Sequence, residues 1–184
     1  MSGKNSGRAV GEMRENAQVV ITPPSVADGA EIWRIARDSG KLDLNSSYAY
    51  LLWCRDFAET SAVARVGDRV VGFVIGYVRP TAPDTVVVWQ IAVDASQRGR
   101  GIAGSLLDDL VGRMSERGVT HLETTITPDN DSSIGLFGSL ASRLGAAMER
   151  SSLFHSSQFP DEHESEELYR IGPFATSHDH VPAG

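Results

Sequence analysis

Apolar residues occur in short runs along this chain, and polar stretches that contain glycine or proline separate them. Short apolar or alternating runs predict β-strands, because successive side chains of a strand point to opposite faces. The run DTVVVWQIAVD is apolar almost throughout, which is typical of a central strand buried on both faces. The seven predicted strands lie near residues 18–22, 61–66, 69–80, 84–94, 120–127, 146–154 and 166–172.

Four other stretches predict helices, which are marked by their ends as well as by their apolar residues. Ser25 with Asp28 resembles a capping box, and Gly40 ends the helix that follows. A second helix follows a polar loop that begins at Lys41, and a fourth spans residues 129–145. The third helix carries one apolar stripe, made of Ile102, Leu106, Leu107, Leu110, Val111 and Met114.

The order of these elements is strand, two helices, three strands, helix, strand, helix and two strands. This order predicts an α/β (α+β) fold in which helices flank both faces of a mixed central β-sheet. The length of 184 residues suits one domain with a sizeable core. We expect that domain over residues 18–174, with disordered polar tails at residues 1–17 and 175–184.

Composition and charge exclude several classes of protein. The formal net charge of −7 argues against a general nucleic-acid binder. No apolar run is long enough to span a membrane, and the N-terminus lacks the apolar core of a signal peptide. The lone cysteine, Cys54, fits a buried thiol in a reducing compartment. We therefore expect a cytoplasmic protein that binds neither nucleic acid nor membrane.

A glycine-rich segment, DASQRGRGIAGSLLDDL, follows the fourth predicted strand at residues 94–110. Glycines between a strand and a helix let backbone N–H groups converge on an anion, and the helix N-terminus adds partial positive charge. Arg98 and Arg100 supply further charge-assisted donors. The segment therefore predicts a phosphate or pyrophosphate site.

Residues 99–104 also match the dinucleotide fingerprint G-x-G-x-x-G, and Glu123 lies about twenty residues further on, where a ribose-binding acid would lie. In a dinucleotide fold, however, the first glycine follows its strand almost directly. Here residues 94–98 intervene. A P-loop is excluded because no G-K-[ST] ends the motif.

The segment IAVDASQRGRGIAGSLLDDL resembles the acetyl-CoA signature of the GNAT acetyltransferase superfamily. In that signature an Arg or Gln is followed by two residues, a Gly, one residue, and a Gly or Ala, as at residues 98–103. The later segment TPDNDSSIGLFGSLASRLG resembles the second cofactor segment of the superfamily, and Asn130 occupies its helix-opening Asn. The order of strands and helices from Val19 to Ile171 is also that of the superfamily.

The resemblance implies roles for the matching residues. Backbone N–H groups of residues 97–103 would bind the pyrophosphate of coenzyme A, and Asn130 would bond the pantetheine or sulfur region. The end of the preceding strand would pair with the pantetheine like an added strand, and one of its N–H groups would polarise the thioester carbonyl. The implied acetyl-CoA-binding residues are Ile91, Ala92, Val93, Gln97, Arg98, Gly99, Arg100, Gly101, Ile102, Ala103, Asn130 and Phe137.

One position departs from the superfamily pattern. Many members have a Tyr directly after the Leu of the second segment, where it protonates the leaving thiolate. This chain has Leu136-Phe137, and phenylalanine has no proton to donate. The sequence therefore leaves this protonation to a water molecule or to the proton that the substrate releases.

Segments outside the cofactor motifs resemble the diaminobutyrate acetyltransferases, which make the acetylated precursor of the osmolyte ectoine. These segments are SGKLDLNSSYAYLL, VVGFVIGYVRP, VVVWQIAVD, HLETTITPDN and LFHSSQFPDEHESEELYRIGP. The resemblance implies that a homodimer transfers acetyl from acetyl-CoA to the 4-amino group of L-2,4-diaminobutyrate. Another small diamine, such as ornithine, lysine or a polyamine, stays open as the acceptor.

Such an acceptor has two ammonium groups and one carboxylate, so its site needs carboxylates, hydroxyl or amide groups and an apolar wall. Asp43 lies in a polar loop in which Ser46 or Ser47 also fits a helix cap. Trp89 and Gln90 interrupt an aliphatic strand, and we expect them to face opposite sides, one of them toward the substrate. The resemblance implies that the acidic run at residues 161–167 borders the acceptor site. The predicted substrate-binding residues are Asp43, Asn45, Ser46, Trp89, Gln90, Thr125, Glu164 and Glu166.

The reaction needs a base, because the acceptor ammonium has a pKa of about 9–10 by analogy with lysine. Glu123 and His163 are the predicted catalytic residues; Glu123 shares one strand face with Thr125 and Thr127. No cluster has metal-ligand spacing, so we expect no metal. Two other hypotheses stay open: an NAD-dependent oxidoreductase that uses residues 99–104, and a regulator that binds acetyl-CoA without transferring it.

Overall fold

A seven-stranded mixed β-sheet forms the centre of the computed structural model, which describes residues 18–176. Its order is β1-β2-β3-β4-β5-β7-β6, where only the β4–β5 pair is parallel. The strands confirm the seven predicted from the sequence. They are β1 (Val19–Thr22), β2 (Ala62–Val66), β3 (Arg69–Arg79), β4 (Ala82–Val93), β5 (His121–Ile126), β6 (Met148–Phe154) and β7 (Glu166–Ile171).

Four α-helices connect the strands, as the sequence predicted. They are α1 (Gly29–Ser39), α2 (Ser47–Asp56), α3 (Ile102–Ser115) and α4 (Asp131–Leu144). Gly40 and Gly145 end α1 and α4 in the left-handed conformation, with φ of 61° and 62°. Ser46 caps α2, because its side chain accepts a hydrogen bond from the N–H of Ala49.

The helices cover both faces of the sheet, which confirms the predicted architecture. On one face, α3 and α4 bury Leu106, Leu110 and Phe137 against Val86 and Val88 of the central strand. On the other face, α1 and α2 bury an apolar cluster made of Ile32, Ile35, Ala36, Tyr50, Cys54, Val63, Val70, Phe73 and Ile75. The central strand β4 is therefore enclosed by two apolar layers.

Cys54 lies in the second of these layers and is 3% exposed. Burial raises the pKa of its thiol to about 11, and the nearby Asp28 carboxylate adds to the effect. At neutral pH the thiol is therefore protonated and unreactive, in agreement with the buried thiol predicted from the sequence.

Both predicted tails lie largely outside the described residues. Residues 1–17 and 177–184 fall outside that range, and Ala175 and Thr176 have no regular secondary structure. Within residues 18–176, no helix combines the length and the apolar character needed to cross a membrane.

A β-bulge changes the direction of the side chains in the middle of β4. Val88 and Gln90 pair with consecutive residues of β3, so Trp89 between them has no partner there. The strands approach closely at this point, and a Cβ atom at Gly76 of β3 would overlap the carbonyl oxygen of Val87. Glycine is therefore required at position 76 because no larger residue fits.

β4 and β5 separate after a short paired region. Four consecutive residue pairs join them, and the last is Val88 with Thr124. β4 nevertheless continues to Val93, and β5 continues to Ile126. The gap between the diverging strands leaves the β5 side of residues 89–93 without a strand partner among the described residues.

We predict that Gly76→Ala lowers the free energy of unfolding by about 1–3 kcal/mol, because the added methyl group forces β3 and β4 apart. Gly112→Ala, at an exposed position in α3 with open space around its Cβ, should stabilise by about 0.5–1 kcal/mol. Urea unfolding of the two variants measures both effects. Equal midpoints for Gly76→Ala and the unchanged protein would contradict the close approach.

Candidate active site

A cleft of about 590 Å³ opens where β4 and β5 diverge. The loop between α1 and α2, the N-terminus of α4 and the segment before β7 complete its walls. The residues that line it are Gly40, Lys41, Leu42, Asp43, Asn45, Val88, Trp89, Gln90, Ile91, Thr124, Thr125, Ile126, Thr127, Asp129, Asn130, Ser133, Phe137, Glu162, His163, Glu164 and Glu166.

The glycine-rich loop lies at the end of β4, beside this cleft. Gly99 and Gly101 have φ of 77° and 74°, and a Cβ atom at either position would meet no atom within 4 Å. Gly101 begins α3, and no side chain caps that helix. Among the described residues, the N–H groups of the first turn therefore lack both intrahelical and side-chain partners, which makes this helix end a cradle for an anion.

Asp94 fastens the start of the glycine-rich loop to the rest of the fold. Its carboxylate accepts hydrogen bonds from Arg34 of α1 (3.1 Å) and Arg69 of β3 (2.8 Å). It also accepts from the N–H and the hydroxyl of Ser96, at 3.1 and 2.8 Å. Burial acts to raise the pKa of Asp94, but the hydrogen bonds from Ser96 and Arg34 outweigh it and hold that pKa below its usual range. The carboxylate is therefore ionised at neutral pH.

Asn130 caps α4 at the other side of the cleft. Its Oδ1 accepts a hydrogen bond from the N–H of Ser133 at 3.1 Å, which leaves its side-chain amide free to donate. Phe137 lies one helical turn after Ser133, on the same helix face, and is 1% exposed. The end of α4 therefore presents an amide, a hydroxyl and an apolar ring to the cleft.

The bulge corrects the expectation that Trp89 and Gln90 face opposite sides of the sheet. Both residues contact α2: the Trp89 ring lies 4.7 Å from that of Trp53, and Gln90 Oε1 accepts a hydrogen bond from the Tyr50 hydroxyl at 3.0 Å. The two-residue period of a strand fails here because Trp89 is the extra residue of the bulge. As a result, both side chains reach the cleft.

Gln90 also fixes the loop that carries Asp43. Its Nε2 donates a hydrogen bond of 2.7 Å to the carbonyl oxygen of Asp43. Since the Tyr50 hydroxyl holds the other end of the same amide, a buried side chain of α2 sets the position of this loop. The Asp43 carboxylate itself is 85% exposed.

His163 closes the opposite side of the cleft against this loop. Its Nε2 lies 3.1 Å from Asp43 Oδ2, its Nδ1 lies 2.7 Å from the carbonyl oxygen of Glu164, and its ring stacks on Phe159. The hydrogen bond to Glu164 and the pairing with Asp43 raise the pKa of the imidazole. Because both ring nitrogens face acceptors, the imidazolium is favoured, and the ring has no lone pair directed into the cleft.

Glu166 is the carboxylate that the surroundings leave least satisfied. Its Oε2 is buried and has no hydrogen-bond partner among the described residues, and its Oε1 lies 3.9 Å from His163 Nε2. Burial raises the pKa of Glu166, although a hydrogen bond from Thr125 opposes this effect. This buried oxygen is available to a donor from a ligand or a water molecule.

Glu123 does not lie in the cleft, and the structure corrects the base role predicted for it. The residue is 4% exposed, and its two carboxylate oxygens contact Arg79 of β3 and Arg170 of β7. The distance to Arg170 Nη1 is 2.8 Å. The two guanidinium groups occupy both oxygens, so Glu123 has a structural role.

The structure brings most of the other predicted site residues together. Those at the cleft are Asp43, Asn45, Trp89, Gln90, Ile91, Thr125, Asn130, Phe137, His163, Glu164 and Glu166. Ala92, Val93 and residues 97–103 lie further along β4 and its loop, and Ser46 is the cap of α2. The sequence analysis missed Lys41, Thr124, Thr127, Asp129, Ser133 and Glu162, which also line the cleft. Three of these had a local signal: Glu162 belongs to the acidic run, Thr127 shares a strand face with Thr125, and Ser133 lies one helical turn before Phe137.

Comparison with known families identifies the family of this chain. The Acetyltransferase (GNAT) family matches residues 29–141. The chain belongs to the GNAT acetyltransferase family. The sheet of this chain has a single parallel pair. A dinucleotide fold instead has a mostly parallel sheet. The G-x-G-x-x-G at residues 99–104 is therefore not a dinucleotide site.

Three similar proteins are named as diaminobutyrate acetyltransferases. The L-2,4-diaminobutyric acid acetyltransferase of Streptomyces coelicolor is 62% identical over 162 residues, or 86% of this chain and 95% of that protein. Its counterpart in Nocardia farcinica is 56% identical over 156 residues, or 85% and 81% of the two chains. The structure of diaminobutyrate acetyltransferase from Paenibacillus lautus, in complex with L-2,4-diaminobutyric acid and coenzyme A, has a TM-score of 0.83 and 36% identity. It covers 88% of this chain and 99% of its own.

We predict that Glu123→Gln lowers the free energy of unfolding by about 1.5–3 kcal/mol, because Arg79 and Arg170 lose their charged partner. The folded variant should keep the turnover of the unchanged protein. Glu149→Gln is the matched control, since Glu149 is exposed and lies opposite Arg170 on β6. Urea unfolding and an acetyl-transfer assay on the same samples test the structural role. A collapse of turnover with unchanged stability would instead restore the base role.

Proposed function

We propose that the chain transfers an acetyl group from acetyl-CoA to the 4-amino group of L-2,4-diaminobutyrate, which gives the acetylated precursor of ectoine. The observation that carries the proposal is the cleft between β4 and β5, where a free strand edge meets a group of carboxylates. Relatives named for this activity match more than four fifths of the chain.

The residues on the cofactor side fit acetyl-CoA. The uncapped N-terminus of α3 and the open space above Gly99 and Gly101 suit a pyrophosphate. The free edge of residues 89–93 suits the amide groups of a pantetheine arm, which can pair with it as an added strand. An N–H group of that edge would polarise the thioester carbonyl. Acetyl-CoA supplies an acetyl group on a thiol that leaves readily.

The residues on the acceptor side fit a small diamino acid. Five carboxylates line the described cleft, namely Asp43, Asp129, Glu162, Glu164 and Glu166, and they suit two ammonium groups. Lys41 is the only lysine or arginine among the described lining residues, so we assign the acceptor carboxylate to it. Trp89, which is 43% exposed, provides an apolar wall for the short methylene chain.

Glu166 replaces Glu123 and His163 as the proposed base. Its buried Oε2 is free to accept a proton, whereas the oxygens of Glu123 are paired and the nitrogens of His163 face acceptors. A raised carboxyl pKa narrows the gap to the acceptor ammonium, which makes proton transfer less unfavourable. Glu166 would therefore take the proton that the attacking nitrogen loses.

The proposal includes a cytoplasmic homodimer. The exposed apolar side chains of Leu44, Tyr48 and Leu51, at and just before the start of α2, give a surface that a second copy would cover. A single cysteine that is buried as a free thiol agrees with a reducing compartment.

The proposed acceptor is tested with a panel of diamines in a free-thiol assay. We expect the highest kcat/KM for L-2,4-diaminobutyrate, because shorter 2,3-diaminopropionate and longer ornithine misplace the attacking nitrogen. The compound 1,3-diaminopropane has the same spacing without the carboxylate, so its kcat/KM should be at least about tenfold lower. NMR of the product should show the acetyl group on N4. The proposal would be overturned by acetylation of N2. It would also be overturned if no diamine of the panel gave thiol release.

The proposed base is tested by a pH profile. We predict that kcat/KM falls as the pH drops through the raised pKa of Glu166, because the base must be ionised, and that Glu166→Gln lowers kcat by about 10²–10⁴-fold. Glu167→Gln is the control, since Glu167 is adjacent on β7 and pairs with Arg150 outside the cleft. A Glu166→Gln variant with unchanged kcat and pH profile would transfer the role to another group.

A further inference from the structure

The departing sulfur needs a hydrogen-bond donor that Phe137 cannot supply. Phe137 is buried and lines the cleft from α4, at the position where many GNAT members carry a tyrosine. Ser133 lies four residues earlier, so it occupies the same helix face one turn closer to the N-terminus. Both side chains line the cleft. The chain therefore carries a hydroxyl group one turn before Phe137, on the same helix face.

The Ser133 hydroxyl differs from those of Ser139 and Ser142, the two serines later in the helix. Ser139 and Ser142 donate their hydroxyls to the carbonyl oxygens four residues earlier, at 2.9 and 3.0 Å. Residue 129, four positions before Ser133, precedes the helix, so no such carbonyl of α4 is available. Among the described residues, the Ser133 hydroxyl has no hydrogen-bond partner. Its backbone is fixed, because its N–H donates to Asn130.

Two of the three threonine hydroxyls at the described cleft are already engaged. Thr127 donates to Asp129 at 2.8 Å, and Thr125 is hydrogen-bonded to Glu166. Thr124 is buried on β5 and is the one remaining threonine among the described lining residues. The N-terminus of α4 also favours negative charge beside Ser133, because its macrodipole is positive there.

We propose that the Ser133 hydroxyl donates a hydrogen bond to the coenzyme A sulfur as the thioester is cleaved. This inference rests on the proposed function. The amine nitrogen bonds to the acetyl carbon and gives its proton to Glu166, while the carbon–sulfur bond breaks and its electron pair goes to sulfur. Ser133 stabilises the resulting thiolate and keeps its own proton, because an alcohol is a far weaker acid than a thiol. The proton held by Glu166 then neutralises the thiolate through solvent.

The first test needs no acceptor. Coenzyme A bound to the protein is titrated by the ultraviolet absorbance of its thiolate. Loss of one hydrogen bond to a charged group should raise the pKa of the bound thiol by about one to two units in Ser133→Ala. Ser133→Thr should keep the pKa of the unchanged protein, and so should Ser132→Ala, an exposed neighbour in the same helical turn. Thr124→Val tests whether the Thr124 hydroxyl binds the sulfur instead.

The second test measures turnover with L-2,4-diaminobutyrate. Ser133→Ala should lower kcat by about ten- to a hundredfold with little change in KM. Adding Phe137→Tyr to Ser133→Ala should restore most of the loss, since the tyrosine hydroxyl returns a donor one turn away. A purely structural role of Ser133 predicts no such rescue.

The outcomes separate this inference from the proposed function. Turnover by the unchanged protein, with no effect of Ser133→Ala on the thiol pKa or kcat, would overturn the role of Ser133 alone. The same effects in Thr124→Val instead would move the role to Thr124. Absence of turnover in the unchanged protein would overturn the proposed function, while a thiol pKa that depends on Ser133 would still support the contact with sulfur.

Discussion

The divergence of β4 from β5 is the constraint on which the site depends. The two strands share four residue pairs, which end at Val88 and Thr124, and β4 then continues alone to Val93. A parallel pair that stayed closed would satisfy the backbone groups of both strands and leave no cleft. The apolar layers on both faces stabilise the sheet as far as the divergence. The exposed backbone edge is therefore held by a rigid core, as a binding edge must be if it is to be preorganised.

The bulge at Trp89 determines the direction of the side chains along this free edge. Because Gly76 lets β3 approach Val87 closely, β4 accommodates one extra residue at the start of its free segment. The extra residue turns both Trp89 and Gln90 toward α2 and the cleft. Gln90 then ties the loop of Asp43 to the same strand. The bulge thus positions both the free edge of β4 and the loop that carries Asp43. A change that displaces one of them would also displace the other.

Local patterns in the sequence sufficed for the elements of the fold and for much of the site. Alternation, caps and glycines indicated every strand and helix, and the polar loop and acidic run led to Asp43 and Glu166. The failures depended on contacts between distant residues. The strand face of Glu123 was predicted, but its partners, Arg79 and Arg170, lie 44 and 47 residues away. No sequence period reveals such a pairing, which changes a site carboxylate into a structural one.

The acidic residues of the cleft have two opposing effects on a diamine. Carboxylates attract a dication, but they also stabilise the protonated amine, which cannot attack. The carboxylates of the cleft differ in exposure and in pairing, and this difference resolves the conflict. Asp43 is exposed and paired with the His163 imidazolium, so part of its charge is offset before a substrate binds. Glu166 is partly buried, with its side chain 17% exposed, and this burial makes its own protonated form easier to reach. A site with exposed acids for attraction and one partly buried acid for proton transfer can do both, because solvent screens the first group more than the second.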